Sequence, residues 1–283
     1  MTGSDPALGI LAGGGPLPGQ VAAAAAAQGR RVFILGFQDF AEPGVIGGWP
    51  HAYVRLAAAG QILATLRAQE CRDLVLIGPV RRPSFRDLRP DAEGARILAR
   101  LGRAVFSGDD GLLGALVRIL GEEGFRVRGA HEFLGSALGP AGVCGRIAPD
   151  ARMMADIRRG AEVVRALGRL DIGQGCVVQN GVVLAVEAME GTDRMLERAG
   201  LCRQPGEGGT LVKLLKPGQE DRADMPVIGP VTIGGAHKAG LSGIAYGAGG
   251  VLFTDLPGCI RAADEAGLFL YGVLPDEAGP GAV

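Results

Sequence analysis

The segment LVKLLKPGQEDRADMP (Leu211–Pro226) sets Lys213 and Lys216 just ahead of Gln219, Glu220, Asp221, Arg222 and Asp224. Carboxylates hold a hard divalent cation and ammonium groups offset phosphate charge, so this mixture suits chemistry on a phosphate ester. A solvated charged loop ended by Pro226 is the bland alternative. The lysines sharpen the choice. Nearly all basic residues are arginine, and the only lysines are Lys213, Lys216 and Lys238. Codon bias explains the arginines but not this clustering, and a compact ammonium is well suited to phosphate.

A second acidic cluster lies in VEAMEGTDRML (Val186–Leu196), where Glu187 ends an apolar run and Glu190, Thr192 and Asp193 crowd the entry to a helix. Thr192 is expected to cap that helix, and the acids suit a hard cation or sugar hydroxyls. GILAGGGPLP (Gly9–Pro18) presents Gly13, Gly14 and Gly15 between an apolar run and a proline-led helix. Unobstructed N–H groups at a helix start can bind phosphate, and a tight turn alone explains the glycines equally well. It is not a dinucleotide fingerprint, because Pro18 stands where the third glycine belongs. In FSGDDGLL, Ser107, Asp109 and Asp110 precede a helix and suit either its cap or a ribose. Arg81 and Arg82 of GPVRRPSF leave a strand end, as an anion contact or a solvated pair. His51, His131 and His237 are isolated, and no serine or cysteine sits in a nucleophile motif.

These residues need elements to hold them. In the first half, strand signals at Leu8–Ala12, Val32–Gly36, Asp73–Gly78 and Phe125–Arg128 alternate with helical spacing at 18–28, 61–71, 98–106 and 112–123. Continuous apolar strands between helices predict a parallel sheet covered on both faces. The small-residue stretch Gly135–Gly145 breaks the pattern. Beyond it, Asp150 caps a helix to about Leu167, and Asn180-Gly181 joins Cys176–Gln179 to Val182–Glu187 as a hairpin. Further strands are expected at 210–215, 243–246, 251–254 and 268–271. The fold class is therefore α/β: a Rossmann-like N-terminal domain (1–134) with a parallel sheet, and a mixed α+β C-terminal domain (141–275) with antiparallel pairing.

A formal charge of -1 gives no basic face for nucleic acid. Five scattered cysteines never form a C-x-x-C pair, which argues against a disulfide framework or zinc site and fits a reducing cytoplasm. No apolar run approaches a membrane span.

Taken together, GILAGGGPLPGQVAAAA, GPVRRPSF, SGDDGLL, VVQNGVVLAVEAMEGTDRML, LVKLLKPGQEDRADMPVIGPVTI and GVLFTDLPGCIRAADEAGLFLYG resemble the LpxI-type UDP-2,3-diacylglucosamine pyrophosphatases of lipid A biosynthesis, in order over residues 7 to 273. The resemblance implies a two-domain, commonly dimeric enzyme with its substrate cleft between the domains. It implies hydrolysis of a lipid-linked sugar nucleotide to UMP and 2,3-diacylglucosamine 1-phosphate with magnesium, or manganese in its place. Asp224 inherits the aspartate on which catalysis depends, assisted by Lys213 and Lys216. Metal ligands are expected among Asp224, Glu187, Glu220 and Asp221, although Glu220 stands where the family usually has aspartate. Substrate contacts are expected at Gly13, Gly14, Gly15, Leu17, Arg82, Asp109, Asp110, Gln179, Asn180, Glu190, Thr192, Asp193, Gln219 and Arg222. The two acyl chains imply a cytoplasmic protein that visits the inner-membrane surface. The rival readings are a sugar nucleotidyltransferase, suggested by LAGG but lacking its arginine and lysine, and a non-catalytic nucleotide- or lipid-binding regulator.

Overall fold

The computed structural model describes residues 6–81, 89–102 and 109–278. The chain divides into two compact units, Met1–Gly135 with Glu220–Asp224, and Ser136–Gln219 with Met225–Val283.

In the first unit, β1 (Ala7–Ala12), α1 (Leu17–Ala27), β2 (Val32–Phe37), α2 (Pro43–Ile46), β3 (His51–Val54), α3 (Ala59–Ala68), β4 (Cys71–Ile77), α4 (Ala92–Leu101), α5 (Asp109–Glu122) and β5 (Arg126–Val127) follow in turn. The strands form one sheet in the order β3-β2-β1-β4-β5, each pair parallel. Leu8, Ile10, Ile34, Leu35, Leu74 and Val75 are buried, as a sheet covered on both faces requires. The helix expected over 61–71 ends at Ala68, because Glu70 turns left-handed (φ 56°) and Cys71 already belongs to β4. The helix expected over 98–106 starts earlier, at Ala92, where the Asp91 carboxylate accepts from Gly94 N at 2.7 Å. The short strand β3 lacks enough alternation to announce itself.

The second unit contains β6 (Gly142–Val143), α6 (Ala151–Arg169), β7 (Gly175–Gln179), β8 (Val182–Val186), α7 (Gly191–Cys202), β9 (Thr210–Lys213), β10 (Val227–Ile228), α8 (Pro230–Lys238), β11 (Gly243–Gly247), β12 (Leu252–Phe253), α9 (Leu256–Ala266) and β13 (Phe269–Val273). Six strands pair in the order β6-β13-β11-β9-β7-β8, and β10 pairs with β12. The centre of the large sheet, β13-β11-β9, is parallel; antiparallel pairing is confined to its flanks, β6 on one side and β7 with β8 on the other. The expectation of antiparallel pairing thus describes the flanks only. Central strands such as LVK and GIAY are buried on both faces, so alternation could not reveal their direction. One face packs Ile157, Ala161 and Val164 of α6 on Val178, Val212 and Phe269. The other packs Leu196, Ile233, Ala236 and Ala263 of α7, α8 and α9 on Val177, Leu211 and Ile244. Asp150 caps α6 by accepting from Met153 N. Asn180 (φ 51°) and Gly181 (φ 78°) are both left-handed, as the hairpin turn demands.

Candidate active site

In the first unit the strand order reverses between β1 and β4, and open α/β sheets bind ligands at such a carboxyl edge. The glycine run lies there. Gly13 N donates to Ile77 O at 2.9 Å, Gly14 N to Pro79 O at 3.0 Å, and Gly15 N to Glu42 Oε1 at 2.9 Å. A Cβ on Gly13 would come within 2.7 Å of the Pro79 carbonyl oxygen, and Gly78 (φ 94°) answers from the facing loop. The expectation of free N–H groups therefore meets a correction: the close approach is of backbone to backbone, and the exposed Glu42 carboxylate already sits on the third amide. Leu17 is buried under the loop. Asp109 opens α5 and Asp110 is half-buried beside it. Arg82 and Ser107 lie outside the described residues.

In the second unit the carboxyl edge of the parallel strands gathers the lysines. Lys213, the last residue of β9, is 3% exposed, and its Nζ donates to Thr192 Oγ1 at 2.6 Å. Thr192 in turn donates to Glu187 Oε1 at 2.6 Å, and Lys213 Nζ stands 3.5 Å from that oxygen. Glu187 is expected above to bind metal and Thr192 to cap α7. Instead α7 begins at Gly191 without a side-chain cap, and both residues belong to one buried network. Lys216 Nζ donates to Asp171 Oδ1 at 2.7 Å, and Gln219 closes the loop by accepting from Lys216 N at 2.9 Å while its own N–H returns to Lys216 O. Asp171 carries no motif signal, because its partner lies far along the chain. Glu190 is engaged by Arg198, which also donates to Val186 O, and Asp193 is exposed in the first turn of α7.

Gln179 and Asn180 do not join this cluster. They stand at the opposite edge, where Val178 pairs with Thr210 at the start of β9. Gln179 Nε2 donates to Gln204 O and Glu207 O while Oε1 accepts from Gln204 N, and Asn180 Oδ1 accepts from Arg152. These bonds tie the hairpin end to the 204–207 loop and to α6. Lys238 ends α8, where a cation suits the helix carbonyls.

The segment Glu220–Asp224 groups with the first unit, and Ala223 packs against that unit's core. Ala223 N and Asp224 N both donate to Glu220 O at 3.0 Å, which folds the acids into one turn. Arg222 grips both oxygens of Glu220 at 2.6 Å and holds that carboxyl below its ordinary pKa. Glu220, expected as a metal ligand, is thus committed to an ion pair; Asp221 is exposed and Asp224 half-buried. Among the described residues no three His, Cys, Asp or Glu side chains converge into a metal cage. Burial pushes the thiols of Cys176 and Cys259 up to about 12 and that of Cys71 to about 11, leaving them protonated and inert at neutral pH.

The sequence model of the LpxI N-terminal domain matches residues 7–137, and that of the LpxI C-terminal domain matches residues 140–271. The chain belongs to the LpxI family. A curated relative, the UDP-2,3-diacylglucosamine pyrophosphatase LpxI of Caulobacter vibrioides, is 44% identical over 276 residues, covering 95% of this chain and 98% of that protein. The LpxI family resemblance read from the motifs is therefore borne out. By sequence Asp224 belongs to the C-terminal LpxI domain, while its contacts place it with the first structural unit.

Proposed function

We infer that this chain hydrolyses the pyrophosphate of UDP-2,3-diacylglucosamine to UMP and 2,3-diacylglucosamine 1-phosphate in lipid A biosynthesis. The observation that carries the reading is the match, across 95% of the chain, to a relative named for that activity. A pyrophosphate resists water because its charged oxygens repel a nucleophile, so the enzyme must neutralise that charge most strongly in the transition state. Lys213 and Lys216 supply two ammonium groups at one sheet edge, and Asp224 is assigned the carboxylate on which turnover depends. The uridine side is assigned to Arg82, Asp109 and Asp110, and the sugar side to Glu190 and Asp193.

Magnesium, or manganese, asks for only one or two protein carboxylates, with water and phosphate oxygens completing its shell. Asp221 and Asp224, on one turn, are the carboxylates proposed to hold it. When bound, the ion supplies charge neutralisation and a more acidic water. The purified chain should release UMP in magnesium and stop in excess chelator; full activity in chelator would overturn the metal assignment. Asp224→Ala should lose on the order of 10²-fold or more in kcat while still binding substrate, as removal of an electrostatic group does. Wild-type kcat in that variant would remove Asp224 from the mechanism.

The substrate's acyl chains bring the protein to a membrane surface during turnover. Among the described residues no helix is long and apolar enough to cross a membrane. Met189, Leu170 and Val231, all strongly exposed, support a surface contact, since each lies beside the carboxyl edge that carries the lysines. A homodimer is part of the same reading, and light scattering of the purified chain tests it.

A further inference from the structure

We propose that Glu187, acting through the hydroxyl of Thr192, is a positioning residue that fixes the Lys213 ammonium for phosphate chemistry. The inference rests on the reading of Lys213 as a phosphate-facing cation and adds two residues that set its aim.

Three elements converge to build the device: Glu187 directly follows β8, Thr192 is the second residue of α7, and Lys213 ends β9. A lysine on its four-carbon stem is mobile when solvated. Here its stem is buried and its Nζ is held by Thr192 Oγ1 at 2.6 Å. The threonine hydroxyl has a single proton, and Glu187 Oε1 receives it at 2.6 Å. Its oxygen can therefore only accept from the lysine, so the direction of the chain is set: ammonium to hydroxyl to carboxylate. Two buried ions are costly unless paired, and the 3.5 Å separation of Nζ from Oε1 supplies the pairing.

The carboxylate is not arranged for stability alone. Its Oε2 is buried with no hydrogen-bond partner among the described residues, a state that native proteins rarely tolerate without a reason. Room for that oxygen comes from Gly175, whose Cβ would stand 2.8 Å from it. The backbone is held as well, with Glu187 N donating to Gly175 O at 2.9 Å. What the arrangement secures is the place of the ammonium at the carboxyl end of β9.

The test compares Thr192→Val, which removes the hydroxyl at nearly constant shape, with Thr192→Ser, which keeps it. Both are assayed for kcat, KM and Tm on UDP-2,3-diacylglucosamine. A positioning role predicts that the valine variant loses about 10- to 100-fold in kcat with KM within about threefold, and that serine restores most of the rate. Raised KM at unchanged kcat would make Thr192 a direct substrate contact and overturn the proposal. Wild-type kcat and KM with a lowered Tm would reduce the network to a structural ion pair, overturning it too. Lys213→Met runs alongside, backed by the double variant Glu187→Met/Lys213→Met in case the unpaired carboxylate prevents folding. If these retain wild-type kcat, the role of Lys213 itself fails. If they are inactive while Thr192→Val is normal, only the positioning inference fails.

Discussion

A methyl group on Gly13 has nowhere to go, because the Gly78 and Pro79 carbonyls already occupy its place. Gly14 is different: its nearest neighbour would be Phe40 O at 3.3 Å, and its φ is not left-handed. Gly13→Ala should therefore destabilise the first unit by about 1–3 kcal/mol or more, in the range of overpacking, with Gly14→Ala well below that. Equal losses of Tm in the two variants would contradict the backbone-contact account. The sequence announced that something comes close to these glycines. It could not say that the visitor is another loop of the same chain, because Gly78 lies far along the sequence and has its own strand. Gln179 failed for a related reason. A polar residue at a strand end looks the same whether it meets a ligand or, as here, the backbone of Gln204 and Glu207.

Elements in this chain are tied together by single carboxylates, and Asp91 is the clearest case. It caps α4 through Gly94 N and also accepts from Gly60 N and Gln61 N at the start of α3, both at 3.2 Å. Partial burial opposes its ionisation, but these three amides outweigh that and hold the carboxyl below its ordinary value. A carboxylate depressed in the folded state adds stability above its unfolded pKa, near 3.9, and that stability is lost as pH falls through the lower folded value. Asp91→Ala should cost about 1 kcal/mol at pH 7, typical of a lost cap. It should also flatten the decline of Tm between pH 5 and 2; an unchanged decline would show that Asp91 is not the titrating link. None of this was read from the sequence. The helix was expected to start at Leu98, which passes over Asp91 as its cap, and the bond to α3 depends on a tertiary approach that spacing does not encode. Hairpin chemistry, by contrast, is local, and Asn180-Gly181 was readable because two left-handed residues in a row favour that dipeptide.

At the scale of the molecule, the alternation of buried strands and helices in the first half was enough to read a parallel sheet, since only a sheet covered on both faces tolerates runs such as GILA and LVLI. In the second half the same reasoning found most strands but not their directions, and α8, with a proline-led start and two adjacent glycines, left weak periodicity. The acid-lysine segment was legible as chemistry, but its division was not: Lys213 and Lys216 belong to one unit and Glu220–Asp224 to the other. For the membrane contact, replacing Met189 and Val231 by aspartate should reduce co-sedimentation with phosphatidylglycerol-containing vesicles at least about threefold, because charge in place of exposed apolar surface opposes interfacial burial. Undiminished binding would place the contact elsewhere.

The central claim is hydrolysis of one pyrophosphate bond, and product identity tests it most directly. The purified chain is incubated with UDP-2,3-diacylglucosamine and magnesium, with and without added inorganic pyrophosphate, and all phosphorylated products are quantified by mass spectrometry. The account predicts UMP and 2,3-diacylglucosamine 1-phosphate in equal amounts, independent of added pyrophosphate. UTP formed only when pyrophosphate is supplied, or UDP released with unphosphorylated diacylglucosamine, would contradict it.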